Sequence, residues 1–546
     1  MAPRQGISEQ TVALALAGAL VFLQLLGIWL APVVPTQDGP VHLEIAAALR
    51  ELWRGQPGLL AEYYAINPTP EPNLLSYLVL DGLAVVAGWR TAEKILLSAC
   101  VALLAAAVLY CLRAVRRDAA YLLVLALPLG VSFFFHMGFH NFCLSLPLGL
   151  LTLGHWLRQA AAEPRWPATL GLATGLFLTT LAHAVAGAVT LLAVAVLAAH
   201  RALQDSRRLP AAARLRALAR RLARPLVAGL PAAALLLVFL ADKPRQPSEW
   251  LTPATLLKRL VLLQSLTSYD RREHLAAAAY GLLLAGLVVA KLARRRTPDE
   301  RRSVGGLWVV AAVLLVLYFA LPSGLAGGGY LNLRLQLFVL FMIVLWLADG
   351  ESSAGQRRAA LAGGCAVAVA LLVLHLSAYR RLGLLLEEYA SVSGRVPPES
   401  VVLPISLIND EDDVTDPSLV AYKVRPYLHA IGYAACERRL VDLTNYQADQ
   451  GYFPLIYQPG RNPYRHLVPD GLAVEDSPQR IDLAGYARQG GRVDAVLLWG
   501  RRVSTHAAEA DPLLRQLSGD YELAFTSEPR GLGELYLRRP GPGSTR

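Results

Sequence analysis

Apolar segments long enough to cross a bilayer follow one another from residue 11 to about residue 378, and no other feature limits the fold of this chain so strongly. A spanning helix needs roughly 20 mostly apolar residues, because each residue advances only about 1.5 Å through a hydrocarbon layer about 30 Å thick. With 55% hydrophobic and 17% charged residues among 546, the chain is too apolar for a soluble protein of its length. The expected fold is a polytopic α-helical membrane domain followed by a polar C-terminal part.

The charge pattern sets the orientation. The net charge of +11 is not spread as a nucleic-acid-binding surface would be. Its arginines gather in short loops between apolar segments: Arg113, Arg116 and Arg117; Arg158 and Arg165; the run from Arg201 through Arg224; Lys291 through Arg302; and Arg357 with Arg358. Basic loops stay on the cytoplasmic side, so the charge reads as topology and nucleic acid is excluded as a partner. The alternation places about eleven spans near residues 11–31, 92–112, 119–136, 141–158, 167–183, 185–200, 224–241, 274–293, 303–321, 331–349 and 359–378. A single helix across His183 would put the Arg201 to Arg224 run outside, so two spans are expected there. The first segment lacks a small-residue cleavage site and reads as an uncleaved span. The composition divides the chain into a membrane domain, 1–379, and an external domain, 380–546.

An external loop, residues 32–91, is too long for a connector. Asp38 or Gly39 caps a helix with Pro40 in its first turn, and Val41, Ile45, Leu49, Leu52 and Trp53 form its apolar stripe. Such a helix is expected along the membrane surface. After the proline-rich Asn67–Pro72, the apolar piece from Asn73 to Gly88 would reverse the charge pattern if it spanned, so it is expected to be interfacial or re-entrant.

A first span ending in Thr36-Gln37-Asp38-Gly39-Pro40-Val41-His42-Leu43-Glu44, a surface helix, Pro72-Asn73-Leu74-Leu75-Ser76-Tyr77, a turn at Gly88 and a span ending in arginines together resemble the opening of the GT-C class of membrane glycosyltransferases. The similar families are the lipid A aminoarabinose transferases and the protein O-mannosyltransferases. By motif the likeness covers roughly residues 10–120, and beyond that only the layout. The resemblance implies a polyprenyl-phosphate sugar donor used on the external face, with Asp38 as the carboxylate that activates the acceptor. The chain departs from the pattern in three places. Asp38-Gly39 replaces an acidic pair, the lysine of the second motif is absent, and residues 137–141 hold no acid. The sugar is therefore not inherited from those families.

The residues themselves converge on the same face. The topology brings Asp38, His42, His136, His140, Asn141, His183, Arg271, Arg272, Tyr330 and Arg334 to external helix ends, and ionisable groups at such depth mark cavities and sites. Asp38 reads either as a general base or as a plain helix cap. His42, four residues on, shares its helix face and either orients Asp38 or meets headgroups. His136 and His140 read as hydrogen-bond donors near the donor phosphate, together with Asn141. Their four-residue spacing also leaves a divalent metal open as a cofactor, although no HExxH or CxxC pattern accompanies it and no metal ligand is assigned. His183 reads as a substrate contact or as an interhelical hydrogen bond. Gly327-Gly328-Gly329-Tyr330 before a helix carrying Arg334 one turn in reads as a phosphate site, unless a buried acid such as Asp38 pairs with that arginine. Arg271 and Arg272 bind phosphate or anchor the amphipathic stretch 254–266 at headgroups.

In the tail, short strands are expected at 401–404, 439–443, 493–499, 521–526 and 533–537 and helices at 417–435 and 479–489, which together suggest a small α/β domain. The loop Asn445–Pro454 is both aromatic and polar, as sugar-binding loops are, and equally suits packing on the membrane domain. Cys100, Cys111, Cys143 and Cys365 lie in apolar segments and Cys436 in the tail, with neither a disulfide framework nor zinc spacing. The expected function is transfer of a sugar from a polyprenyl-phosphate carrier to a lipid, glycan or protein acceptor at the outer face of a bacterial inner membrane. The alternatives are a polyprenyl-linked glycan ligase or polymerase, and a non-catalytic transporter or scaffold.

Overall fold

The computed structural model of the chain describes residues 9–159, 165–207, 210–242, 248–294, 306–324 and 328–540. Gly327, Arg208 and the basic residues between 295 and 302 fall outside these. Six helices are long and apolar enough to cross a membrane: Glu9–Leu30, Trp89–Val115, Ala184–Ser206, Ala212–Ala241, Glu273–Ala293 and Ala354–Ser393. Shorter apolar helices, Ala119–Gly130, Trp166–Ala182, Leu307–Ala320 and Leu331–Leu347, stand at four further expected positions, and His140–Gln159 at the last. Length and composition thus qualify six of the eleven expected segments.

Local chemistry explains the boundaries. The helix carrying the span at 224–241 begins at Ala211, because the alanine, leucine and arginine residues before it are good helix formers. Trp166–Ala182 and Ala184–Ser206 are separate helices that meet at His183, whose backbone is extended at φ −163° and ψ 127°. Leu75–Ala87 has 13 residues, too few to span, and turns at Gly88 with φ +77° into Trp89–Val115. An ion pair from Arg50 to Asp81 ties it to the helix Gly39–Trp53.

Gly39–Trp53 is not simply a surface helix. Residues 39–46 are buried on every side, His42 and Glu44 included, because the C-terminal helix Gly432–Arg438 lies across it. A Cβ at Gly432 would fall 2.4 Å from the Pro40 carbonyl oxygen, so the two backbones touch there.

The polar part is built on a five-stranded sheet. In spatial order its strands are Val441–Asp442, Val401–Ser406, Ala495–Trp499, Gly533–Arg538 and Tyr521–Thr526; the first three are parallel, and Gly533–Arg538 runs antiparallel to both of its neighbours. All five lie at the positions expected for short strands. The change of composition near residue 380 falls inside one continuous helix, Ala354–Ser393, which starts at a Ser353–Gln356 capping box. Its Glu388 accepts hydrogen bonds from Ser527 (2.6 Å) and the Leu532 N–H (3.1 Å) at the sheet.

The helix expected at 417–435 does not form. Only a turn at Pro417–Leu419 and the helix Gly432–Arg438 are helical, since Pro426 interrupts the ladder. The intervening backbone instead bonds the membrane domain, Tyr422 to the Tyr269 carbonyl (3.1 Å) and Lys423 to that of Ser268 (2.8 Å). On the other flank, Tyr64–Ile66, in the connection between the first two long helices, pairs antiparallel with Leu455–Tyr457.

Candidate functional site

The site starts from how Asp38 is held. Past the first helix, the Gln37 N–H donates to the His136 carbonyl (3.2 Å) and the Asp38 N–H to that of Met137 (2.9 Å), which pins this turn onto the turn at 136–138. Gly138 permits the approach: its φ is +74°, and a Cβ there would lie 2.3 Å from the Gly39 nitrogen. Gly138→Ala is expected to cost about 2 kcal/mol or more, from left-handed strain plus the clash. Gly55→Ala, with φ +64° and open space around it, is expected to cost less. Thermal unfolding of the two variants checks the order.

Asp38 does not cap the helix it precedes; its side chain makes no capping bond. Instead its carboxylate accepts from the Tyr446 hydroxyl (2.8 Å) and the Gln37 amide (3.0 Å). His429 lies with Nε2 at 4.0 Å, its ring stacked on Tyr446. The carboxylate is 1% exposed. Burial raises its pKa to about 6, and the two hydrogen bonds pull in the other direction. The membrane domain thus supplies the acid and the C-terminal domain its main hydrogen-bond donor.

Asp38 opens onto a cavity of about 430 Å³. One wall is apolar, made by Ala184, Val185 and Ala188 of one helix and Leu236, Phe239 and Leu240 of the next. The polar part joins His42, Asn73, Asn141, His183 and Tyr330 to Tyr446, Gln447, Gln450 and Tyr452 of the C-terminal domain, and Arg334 lines the same space. Arg334 is 8% exposed. Its guanidinium donates to the Gly329 carbonyl and sits 5.3–5.5 Å from the ring centres of Phe134, Phe139 and Phe142. Its Nε has no partner, and among the described residues no carboxylate reaches it within 4.0 Å. Aromatic faces and one carbonyl are weak compensation for a buried cation, so the arrangement favours an anion in the cavity. Asp38 does not neutralise it.

Six of the ten candidate residues therefore share one cavity: Asp38, His42, Asn141, His183, Tyr330 and Arg334. His42 contacts the Tyr77 hydroxyl through Nδ1 (2.8 Å), and burial, with His140 and His429 nearby, holds its pKa well below the usual range, so it is neutral. His140 lies behind it, ring centres 5.3 Å apart, with Nε2 3.4 Å from Glu93. His136 turns away from the cavity to Ser268 (2.7 Å) and Tyr379 (3.0 Å). The turn at Gly138 breaks the helix that would have put the two histidines on one face. Among the described residues no group of three or more His, Cys, Asp or Glu is placed to hold a metal ion. Arg271 pairs with Glu411 and Arg272 with Asp270, both largely exposed and away from the cavity.

Sequence reasoning passed over Asn73, His429, Glu93 and the individual residues Tyr446, Gln447, Gln450 and Tyr452. The composition of Asn445–Pro454 was the available signal. That loop packs on the membrane domain, and its Tyr446, Gln447, Gln450, Tyr452 and Phe453 line the cavity. Glu93, inside a spanning helix, accepts from Tyr433 (2.9 Å) and Thr36 (3.4 Å), an intramembrane acid whose depth was its signal.

No protein-family model matches the sequence, and no curated protein does. Among solved structures, the chain is similar to ArnT from Cupriavidus metallidurans bound to undecaprenyl phosphate, with TM-score 0.53 and 12% identity over 97% of this chain and 99% of that one. It is also similar to the same protein in its apo state, with TM-score 0.52 and 12% identity over 96% and 98%. The alignment spans the membrane helices and the C-terminal part together. This chain is a multi-pass membrane protein with the fold of the GT-C glycosyltransferases.

Proposed function

We propose that the protein transfers one sugar from a polyprenyl-phosphate carrier to a lipid, glycan or protein acceptor, at the outer face of a bacterial inner membrane. Residues 1–379 form the catalytic membrane domain in this reading, and residues 380–546 an extracytoplasmic domain that closes the site. The observation that carries it is one cavity with a buried carboxylate, Asp38, and a buried arginine, Arg334, that do not neutralise each other, the arginine having no carboxylate partner among the described residues. The ArnT neighbour was crystallised with undecaprenyl phosphate, which supports a carrier of the same class here.

In this reading each residue has a step. The acceptor hydroxyl attacks the anomeric carbon from the face opposite the phosphate, and the carbon–oxygen bond to the phosphate breaks as the new one forms. The acceptor proton passes to Asp38, whose pKa of about 6 leaves it ionised at neutral pH and basic enough to accept. Charge developing on the departing phosphate meets Arg334. His42, neutral and tethered to Tyr77, acts as a hydrogen-bonding neighbour beside Asp38, while His183 and Tyr330 contact the carrier.

The test is kcat/KM against pH for purified protein with a polyprenyl-phosphate sugar. Transfer should be level above about pH 7 and fall roughly tenfold per unit below about pH 6, as Asp38 takes up its proton. Unfolding through this group does not imitate that limb. Its pKa is raised on folding, so the native state binds the proton more tightly. The cost of burying the charge is full above about pH 6 and disappears on acidification. A rate that stays flat down to pH 5 would remove Asp38 as the base.

A further inference from the structure

Resting on that reading, we infer that the transferred sugar is neutral and polyhydroxylated, carrying neither an amine nor a carboxylate. Four carboxamides, Asn73, Asn141, Gln447 and Gln450, line the cavity. A carboxamide carries both a donor and an acceptor, which is what a hydroxyl needs from its surroundings; Asn141 already accepts from Ser76, and Gln447 accepts from Tyr77 and donates to Tyr446, both at 3.4 Å.

Asn73 is the most informative of them. It is 8% exposed, its Oδ1 has no hydrogen-bond partner, and it borders the cavity. Its backbone is held in the left-handed region at φ +87°, with its N–H fixed on the Leu181 carbonyl at 2.9 Å. A buried acceptor without a donor is costly, and a sugar hydroxyl supplies the missing donor.

The charges point the same way. Among the described residues lining the cavity, Asp38 and Arg334 are the charged ones, and transfer engages both, one with the acceptor and the other with the phosphate. An ammonium or carboxylate on the sugar would be buried without a counter-charge. An amine could be accommodated only by taking Asp38 away from the acceptor.

The experiment measures binding, so it does not depend on knowing the acceptor. Full-length protein in lipid nanodiscs is titrated with bare polyprenyl phosphate and with three donors on the same lipid: a neutral hexose, an amino-pentose and a hexuronate. The hexose donor should bind about tenfold or more tighter than the bare phosphate, the gain of one or two well-placed hydrogen bonds, and the charged sugars no tighter than the bare phosphate. Asn73→Gly keeps the left-handed backbone while removing the carboxamide, and should bring the ratio of hexose-donor to bare-phosphate affinity towards one. An equal or larger gain from the amino-pentose or hexuronate, or no gain from any sugar, overturns the inference and leaves the carrier reading standing. Failure of bare polyprenyl phosphate to bind overturns both.

Discussion

Asp38→Asn is expected to lower sugar transfer by about 100- to 10,000-fold, the range that a positioned general base contributes, while polyprenyl-phosphate binding is retained. Asparagine keeps the shape of the side chain and can still accept from the Tyr446 hydroxyl, now at 2.8 Å from the carboxylate, but it cannot take a proton. The variant also separates catalysis from capping. A lost N-cap would cost about 1 kcal/mol of stability, whereas Asp38 makes no capping bond and its charge is desolvated. The thermal midpoint of Asp38→Asn should therefore hold or rise while turnover collapses. Undiminished transfer, or a fall in midpoint that accounts for the loss, would return Asp38 to a structural role.

Arg334→Met is expected to weaken polyprenyl-phosphate binding by about 100-fold or more, as truncating a buried, hydrogen-bonded charge partner does, and at the same time to raise the thermal midpoint of the ligand-free protein. The opposite signs follow from one fact: the guanidinium is buried among Phe134, Phe139 and Phe142, and among the described residues no carboxylate lies within 4.0 Å of it, so it is uncompensated until an anion arrives. Methionine fills similar space without the charge. Arg334→Lys should recover only part of the affinity, since a point charge replaces the planar fork. An arginine that merely braced the helix would show the reverse, with a lower midpoint and phosphate affinity unchanged.

Both experiments concern residues that were legible early. Asp38 follows an apolar segment directly, and Arg334 interrupts another one turn from its start. A charge in such a place is costly enough to announce itself in a linear sequence. The strands at 401–406, 495–499 and 521–526 were equally legible, because short apolar runs and β-branched or aromatic residues are local properties. The missing helix at 417–435 shows the limit of local patterns: Pro426 interrupts it, and partners more than 150 residues away, at Ser268 and Tyr269, took its backbone hydrogen bonds.

The sequence by itself determined the multi-pass helical architecture, the C-terminal strands and the two charges around which the proposed chemistry is built. Each is written in hydrophobicity and charge, which act residue by residue. Only the tertiary structure decided which of the candidates meet. His136 and His140 have helical spacing, yet Gly138 turns them to different neighbours. Arg271 and Arg272 stand outside the cavity in ion pairs of their own. Tyr446 reaches Asp38 across 408 residues of chain, because Gly432 lets the C-terminal domain settle on the Pro40 backbone. Such contacts depend on the close fit of distant backbones, and a one-dimensional pattern holds no trace of a fit until both surfaces exist.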